Sequence, residues 1–232
     1  MKASVSTESQ EVNPSFAETL SKFFQGNRKF LSIIGIALLA GIVLIGVVEA
    51  VQNSRTKAAI SSLEILEVLY QDFEGLTTES PAEAAKPVVE KANELLASYS
   101  KVYAGWRARF ILGLVHASLK EYDVAEKWFA DIAEVSPRSN LAASALVNAA
   151  SMAEERGDMQ AALGYLQKTD AYATTYVGYT RALFTRGRIL EHLEKPQEAL
   201  AAYQQLVDRG ESDDWSHLAK SRLILLKTAQ AK

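Results

Sequence analysis

Three histidines are the first residues to weigh for chemistry: His116, His192 and His217. A zinc site needs several donors at suitable spacing, and none of these has a second histidine one helical turn away. His192 has only Glu191 beside it. Cysteine is absent, which removes disulfides, thiolate metal sites and a cysteine nucleophile. The phosphate-cradling pattern GxxxxGK[ST] does not occur, and no serine sits in a GxSxG turn. We therefore expect no catalytic centre, no metal, no cofactor and no small-molecule substrate. The net charge is -3 and no basic stripe is present, so nucleic acid is not an expected partner either. What remains is binding chemistry. Tyr172, Tyr176 and Tyr179 stand at i, i+4 and i+7, either as an aromatic patch for a partner or as the packing of a long loop.

The elements that must position such residues are helical. The 232 residues are 48% hydrophobic and 23% charged, poor in Gly and Pro and rich in Ala, Leu, Glu, Lys and Gln, a mix that favours helix. The stretch KEYDVAEKWFADIAEVSP, Lys120 to Pro137, is amphipathic at helical spacing and has echoes downstream. Ala125, Ala162 and Ala199 recur with a period of 37. Four residues after each stands a bulky side chain: Phe129, Leu166 and Tyr203. Twelve residues before each stands a small one: Gly113, Ala150 and Gly187. Helices are expected over Gly105 to Leu119 and Asp123 to Val135, Asn140 to Arg156 and Met159 to Thr169, and Tyr179 to Leu193 and Pro196 to Asp208. A final helix, Asp214 to Ala229, has a stripe of Trp215, Leu218, Leu223 and Leu226, with Ser212 or Asp213 as its cap. Upstream, Ala58 to Phe73 and Ala82 to Ser98 read as a divergent hairpin.

This pattern resembles the tetratricopeptide repeat, in which small residues let two antiparallel helices approach and a bulky one fills the space beside them. The usual period is about 34 residues, so a period of 37 predicts longer interhelix turns. The resemblance implies that the first helix of each pair lines a concave face. In that register Arg107, Phe110 and Leu114 line it from the first copy, Ser144, Val147 and Ser151 from the second, and Arg181, Phe184 and Arg188 from the third. Such a groove suits an extended peptide or a partner helix. Phe110 and Phe184 serve equally well as packing between neighbouring pairs.

A membrane span is expected before the repeats. FLSIIGIALLAGIVLIGVV, Phe30 to Val48, is 19 residues without a charge; at about 1.5 Å per residue it is roughly 28 Å long, a match to bilayer hydrocarbon. It is apolar all round and bracketed by charges, unlike a buried core helix. Its length and its 29-residue leader are unlike those of a cleaved signal peptide. Lys22, Arg28 and Lys29 before it, against Arg55 and Lys57 after it, lean narrowly towards an N-terminus inside. Ala37 and Gly41 offer a small-residue packing face. The expected architecture is all-α: a single transmembrane helix, then a TPR-like solenoid of about four helix pairs with a capping helix. The boundaries are a tail at 1–29, disordered and then amphipathic through Phe16, Leu20, Phe23 and Phe24; a span at 30–51; the divergent hairpin at 52–104; three repeats at 105–211; and a cap at 212–232.

One anchor followed directly by a short divergent repeat stack resembles the bacterial YfgM-like family. The junction SKFFQGNRKFL and the ending KSRLILL carry the likeness. The resemblance implies an inner-membrane protein with a cytoplasmic N-terminus and a periplasmic repeat domain. It also implies two partners, the SecYEG translocon and a membrane-anchored, parvulin-like chaperone.

Overall fold

The computed structural model describes Phe23, residues 26–76 and residues 80–230. The expectations for residues 1–22 and for Phe24 lie outside these. The described residues hold nine α-helices and no strand. The chain divides between Thr56 and Lys57 into two compact units.

The helix α1 (Arg28–Gly75) begins in the first unit and ends in the second. Its N-terminal part is the apolar run, and none of its most apolar 18 residues is buried. Ile33, Ile36, Leu39 and Leu44 are each more than 60% exposed. An uncharged helical surface of this kind, with no protein against it, is suited to hydrocarbon and not to water.

The second unit is a stack of helix pairs. The last turns of α1 pair with α2 (Pro81–Tyr99). Ala59, Leu63, Leu66 and Tyr70 are buried with Ala85, Val88, Ala92 and Leu95. Both sets follow alternating spacings of three and four, which place one apolar stripe on each helix. Then come α3 (Tyr103–Ser118) with α4 (Tyr122–Val135), and α5 (Ala142–Glu155) with α6 (Met159–Lys168). A 3-10 turn at Thr169–Tyr172 leads on to α7 (Tyr179–His192), α8 (Pro196–Asp208) and the closing helix α9 (Asp214–Gln230). The core forms successive clusters, each shared by neighbouring helices, as expected of a stack in which a unit meets only its neighbours.

The extra length of the 37-residue period lies between pairs. Within each pair the turn is short, at 119–121, 156–158 and 193–195. The links between pairs run over 136–141, 169–178 and 209–213. All three short turns are built alike. Lys120, Gly157 and Glu194 have positive φ, at 61°, 81° and 56°. The next residue donates its N–H back across the turn: Glu121 to His116 O, Asp158 to Ala153 O and Lys195 to Leu190 O, each at 2.8–2.9 Å. This is the Schellman closure, in which a left-handed residue ends the helix and its orphan carbonyls are satisfied. Only the middle copy uses glycine there, and only its Asp158 caps the next helix, accepting from Ala161 N at 2.9 Å. Lys120→Gly is therefore expected to raise stability by about 1 kcal/mol, because the left-handed backbone costs a side-chain-bearing residue about 1–2 kcal/mol and glycine's extra freedom when unfolded offsets part of the gain. Urea unfolding checks it; a loss of stability would sink the reading.

At the C-terminal end, Asp213 caps α9 by accepting from Ser216 N at 2.8 Å. The buried face of α9 is Ser216, Ala219 and Leu223, with Trp215 and Leu226 partly covered. Leu218, expected in the stripe, is 46% exposed. The helix meets α7 and α8 through the narrower face, where alanine permits close approach.

Candidate protein-binding groove

The side chains that set the spacing of each pair come first. In α3, Gly113 lies under the ring of Phe129: a Cβ there would stand 2.6 Å from Phe129 Cε1. In α7, Gly187 lies under Tyr203, and a Cβ would stand 2.6 Å from its Cζ. The middle pair has Ala150 and Leu166, both buried in one cluster. A larger small residue thus goes with a smaller bulky one. Ala125, Ala162 and Ala199 have no exposed surface. Ala125 shares its cluster with Phe129 and Ile132 and with Ala145 and Ala149 of the following pair. Gly113→Ala is expected to cost about 1 kcal/mol net, overpacking of about 1–3 kcal/mol being partly offset by better helix propensity. Adding Phe129→Leu, which copies the middle pair, should recover part of the overpacking cost. A double variant less stable than the sum of the two single changes would refute this compensation.

The first helices carry the groove positions. Arg107 donates to Glu67 Oε1 at 3.0 Å and lies 5.8 Å from the Phe110 ring centroid. Phe110 is edge-on to Phe129 at 5.2 Å. Leu114 packs against the clusters on both sides of it. On α5, the Ser144 carbonyl accepts from Asn148 Nδ2, Val147 packs on the C-terminal cluster and Ser151 Oγ donates to Val147 O. On α7, Arg188 pairs with Glu154 at 2.6 Å. Phe184 lies 5.6 Å from Tyr203 and 5.5 Å from Trp215, and Arg181 is 5.8 Å from the Trp215 centroid.

Two of the three groove arginines thus link consecutive first helices, and both phenylalanines contact core rings. Arg181 is exposed and has no carboxylate partner among the described residues. With Phe184 and Trp215 it makes a cationic, aromatic corner at the C-terminal end of the groove. Sequence reasoning missed Glu67, Glu154 and Trp215 as parts of this face. The only available signal was an acidic residue one repeat or so before each arginine, at separations of 40 and 34.

Ionic links join neighbouring elements of the stack. Glu126, almost fully buried, accepts from Arg156 Nε at 2.9 Å and from Tyr165 Oη at 3.0 Å. Burial, and then that hydrogen bond, push the Tyr165 hydroxyl up to about 12. Asp170 receives Tyr179 Oη at 2.6 Å and Arg186 Nη1 at 2.8 Å. Of the three tyrosines, Tyr179 is buried, Tyr176 packs on the same cluster, and Tyr172 donates to Pro137 O at 2.7 Å.

Glu191 accepts from Tyr203 Oη at 2.7 Å and from Arg222. Burial would raise its carboxyl, but the hydrogen bonds from Arg222 and Tyr203 and the guanidinium charge outweigh burial and hold it below the usual carboxylate range. A carboxyl lowered on folding contributes stability in full above its unfolded value and loses it as pH falls through its folded value. Acidification from about pH 6 to about pH 3 should lower the thermal midpoint, and Glu191→Gln should flatten that slope. An identical acid slope in the variant would show that the link contributes nothing.

Paired helices and small-residue crossings that recur at a fixed spacing define a helical repeat of the protein-interaction class. The chain belongs to the tetratricopeptide repeat-like domain family, whose match runs over residues 21–229. A TPR repeat-containing protein of Treponema pallidum (strain Nichols) is 34% identical over 128 residues, covering 52% of this chain and 53% of the relative. The chain thus spans about half the length of the curated relative it matches. Among solved structures, the apo form of RapI superposes with a TM-score of 0.57 at 17% identity, over 72% of this chain and 47% of that one. A Parabacteroides merdae tetratricopeptide repeat protein gives 0.54 at 15%, over 73% and 61%. The nearly identical TPR-like repeats of a Podosopora anserina kinesin light chain give 0.53 at 12%, over 74% and 86%. At such identities these likenesses speak for the fold alone.

Proposed function

We propose that this protein is a membrane-anchored scaffold that binds protein segments in the groove of its first helices. The observation that carries the reading is the union of two features in one chain: a bare apolar helix long enough for a bilayer, and a repeat domain whose groove ends in Arg181, Phe184 and Trp215. The anchor is residues 30–51, with the N-terminus cytoplasmic and the repeats periplasmic, in a bacterial inner membrane. In this reading the partners are the SecYEG channel and a membrane-anchored parvulin-like chaperone, and the scaffold hands emerging chains from one to the other. The likeness of the anchor junction and C-terminal helix to the YfgM-like family supports that choice. The domain limits at 29, 51, 104 and 211 belong to the same proposal.

Crosslinkers placed at Phe110 and Phe184 in gently solubilised membranes are expected to capture channel subunits or a chaperone. Protease added outside the inner membrane should degrade residues 58–232. Full protection, with capture of cytosolic proteins instead, would establish the other arrangement, a cytosol-facing adaptor that recruits soluble partners.

A further inference from the structure

The stack ends on an uncovered apolar surface. One side of α9 packs on α7 and α8 through Ser216, Ala219 and Leu223. The other side carries Leu218, Ile224 and Leu225, all exposed. A terminal helix of a repeat stack needs a polar outer face to keep its end in water, and this one lacks it. The exposed residues are ordered. Asp214, Leu218, Ser221, Leu225 and Thr228 follow alternating steps of four and three, the spacing of a seam between two packed helices. The hydroxyls of the seam do not demand water. Ser221 Oγ donates to His217 O at 3.2 Å and Thr228 Oγ1 to Ile224 O at 2.8 Å, so both can be covered without stranding a polar group.

The seam also reads alike from either end. Around Ser221, Leu218 stands three residues before and Leu225 four after, while Asp214 and Thr228 stand seven away on either side. A surface that matches itself under reversal is what a two-fold contact between identical chains requires. We infer that α9 pairs with α9 of a second copy, antiparallel, crossing at Ser221. Leu218 of each chain covers Leu225 of the other, and the small serines let the helices approach closely. Charge fixes the direction. Asp214 has no ion-pair partner among the described residues, and a parallel pair would set it against its own counterpart. The antiparallel pair brings it to the last turn of the other helix, which carries Lys227. Lys220 stands one position off the seam, where its long side chain reaches water. A single-helix seam is small against the roughly 1,200–2,000 Å² of a stable interface. Confinement of both anchors to one bilayer offsets this by raising the effective concentration, and in that respect the pairing rests on the membrane-anchored reading.

The chain has no cysteine, so introduced cysteines report without background. The full chain carrying Ser221→Cys is reconstituted into phosphatidylcholine–phosphatidylglycerol liposomes and oxidised with copper phenanthroline. A disulfide-linked dimer is expected, several times more abundant than from Ala201→Cys, which is exposed on α8. Leu218→Cys alone should give little dimer, because antiparallel pairing sets its two copies about 10 Å apart along the axis, beyond the roughly 7 Å reach of a disulfide. Adding chains with Leu225→Cys should restore it. Leu225→Lys in the Ser221→Cys chain should reduce the dimer to the Ala201→Cys level without moving the thermal midpoint. A Ser221→Cys yield no higher than that control, a yield unaffected by Leu225→Lys, or self-linking of Leu218→Cys as strong as that of Ser221→Cys would overturn the proposal. Protection of Ser221→Cys from a water-soluble maleimide without any dimer would give the face to the bilayer, and would equally overturn it. Flotation with the liposomes reads the anchor separately. A chain that floats but does not link loses the pairing and keeps the scaffold reading, and one that links without floating keeps the pairing and loses the anchor.

Discussion

Truncation of Tyr203 to alanine is expected to destabilise the protein by about 3–5 kcal/mol, the range for removing a fully buried aromatic side chain. Three losses combine. The ring has no exposed surface and covers Gly187, so its removal opens a cavity against backbone that has no side chain to relax into it. Phe184 loses a ring neighbour at 5.6 Å. Glu191 loses the hydroxyl donor at 2.7 Å and keeps only Arg222. Tyr203→Phe separates these contributions: it keeps the ring and should cost only about 1 kcal/mol, the net worth of one hydrogen bond. Urea titration of the full chain in mild detergent, followed by circular dichroism, measures both. Equal losses in the two variants would mean that the hydroxyl, and not the ring, holds α8 to α7.

Ala125→Leu is expected to cost about 3 kcal/mol, towards the upper part of the usual overpacking range. Three carbons are added where the side chain has no exposed surface and its cluster is made of Phe129, Ile132, Ala145 and Ala149. Neither direction offers room. Phe129 is held against Gly113, and Ala145 and Ala149 are the small residues through which α5 closes on α4. The same change at Ala201, exposed on α8, should stay within about 0.5 kcal/mol and controls for leucine itself. A thermal midpoint in Ala125→Leu equal to that of the Ala201 control would contradict the packing described for the α4–α5 crossing.

The terminal helix separates what pattern can give from what packing decides. A stripe through Trp215, Leu218 and Leu223 is a sound periodic reading, because apolar side chains at those spacings share a face. The helix nonetheless turns Ala219 inward and leaves Leu218 at 46% exposure. Periodicity ranks residues by hydrophobicity. An interhelix crossing also ranks them by size, and the preferred size depends on what the neighbouring helix presents. The sequence signals for Lys120 and Glu194 were likewise silent. Their left-handed backbone is imposed by a turn in which the middle copy alone carries glycine, Gly157.

The sequence by itself determined that the chain is helical, that its units recur every 37 residues, and that an uncharged run precedes them. These follow from local quantities: propensity, spacing and the identity of residues one or two turns apart. Only the tertiary structure decided which groove cations are engaged. Arg107 and Arg188 meet Glu67 and Glu154 from neighbouring first helices, whereas Arg181 stands over Trp215 with no carboxylate partner among the described residues. It also decided that Glu134 is left without an ion pair while Asp131 is taken by Arg109. The reason is distance along the chain. An ion pair depends on a few ångströms between residues that a stack of helices brings together from 22 to 40 positions apart, and no periodic pattern records that approach.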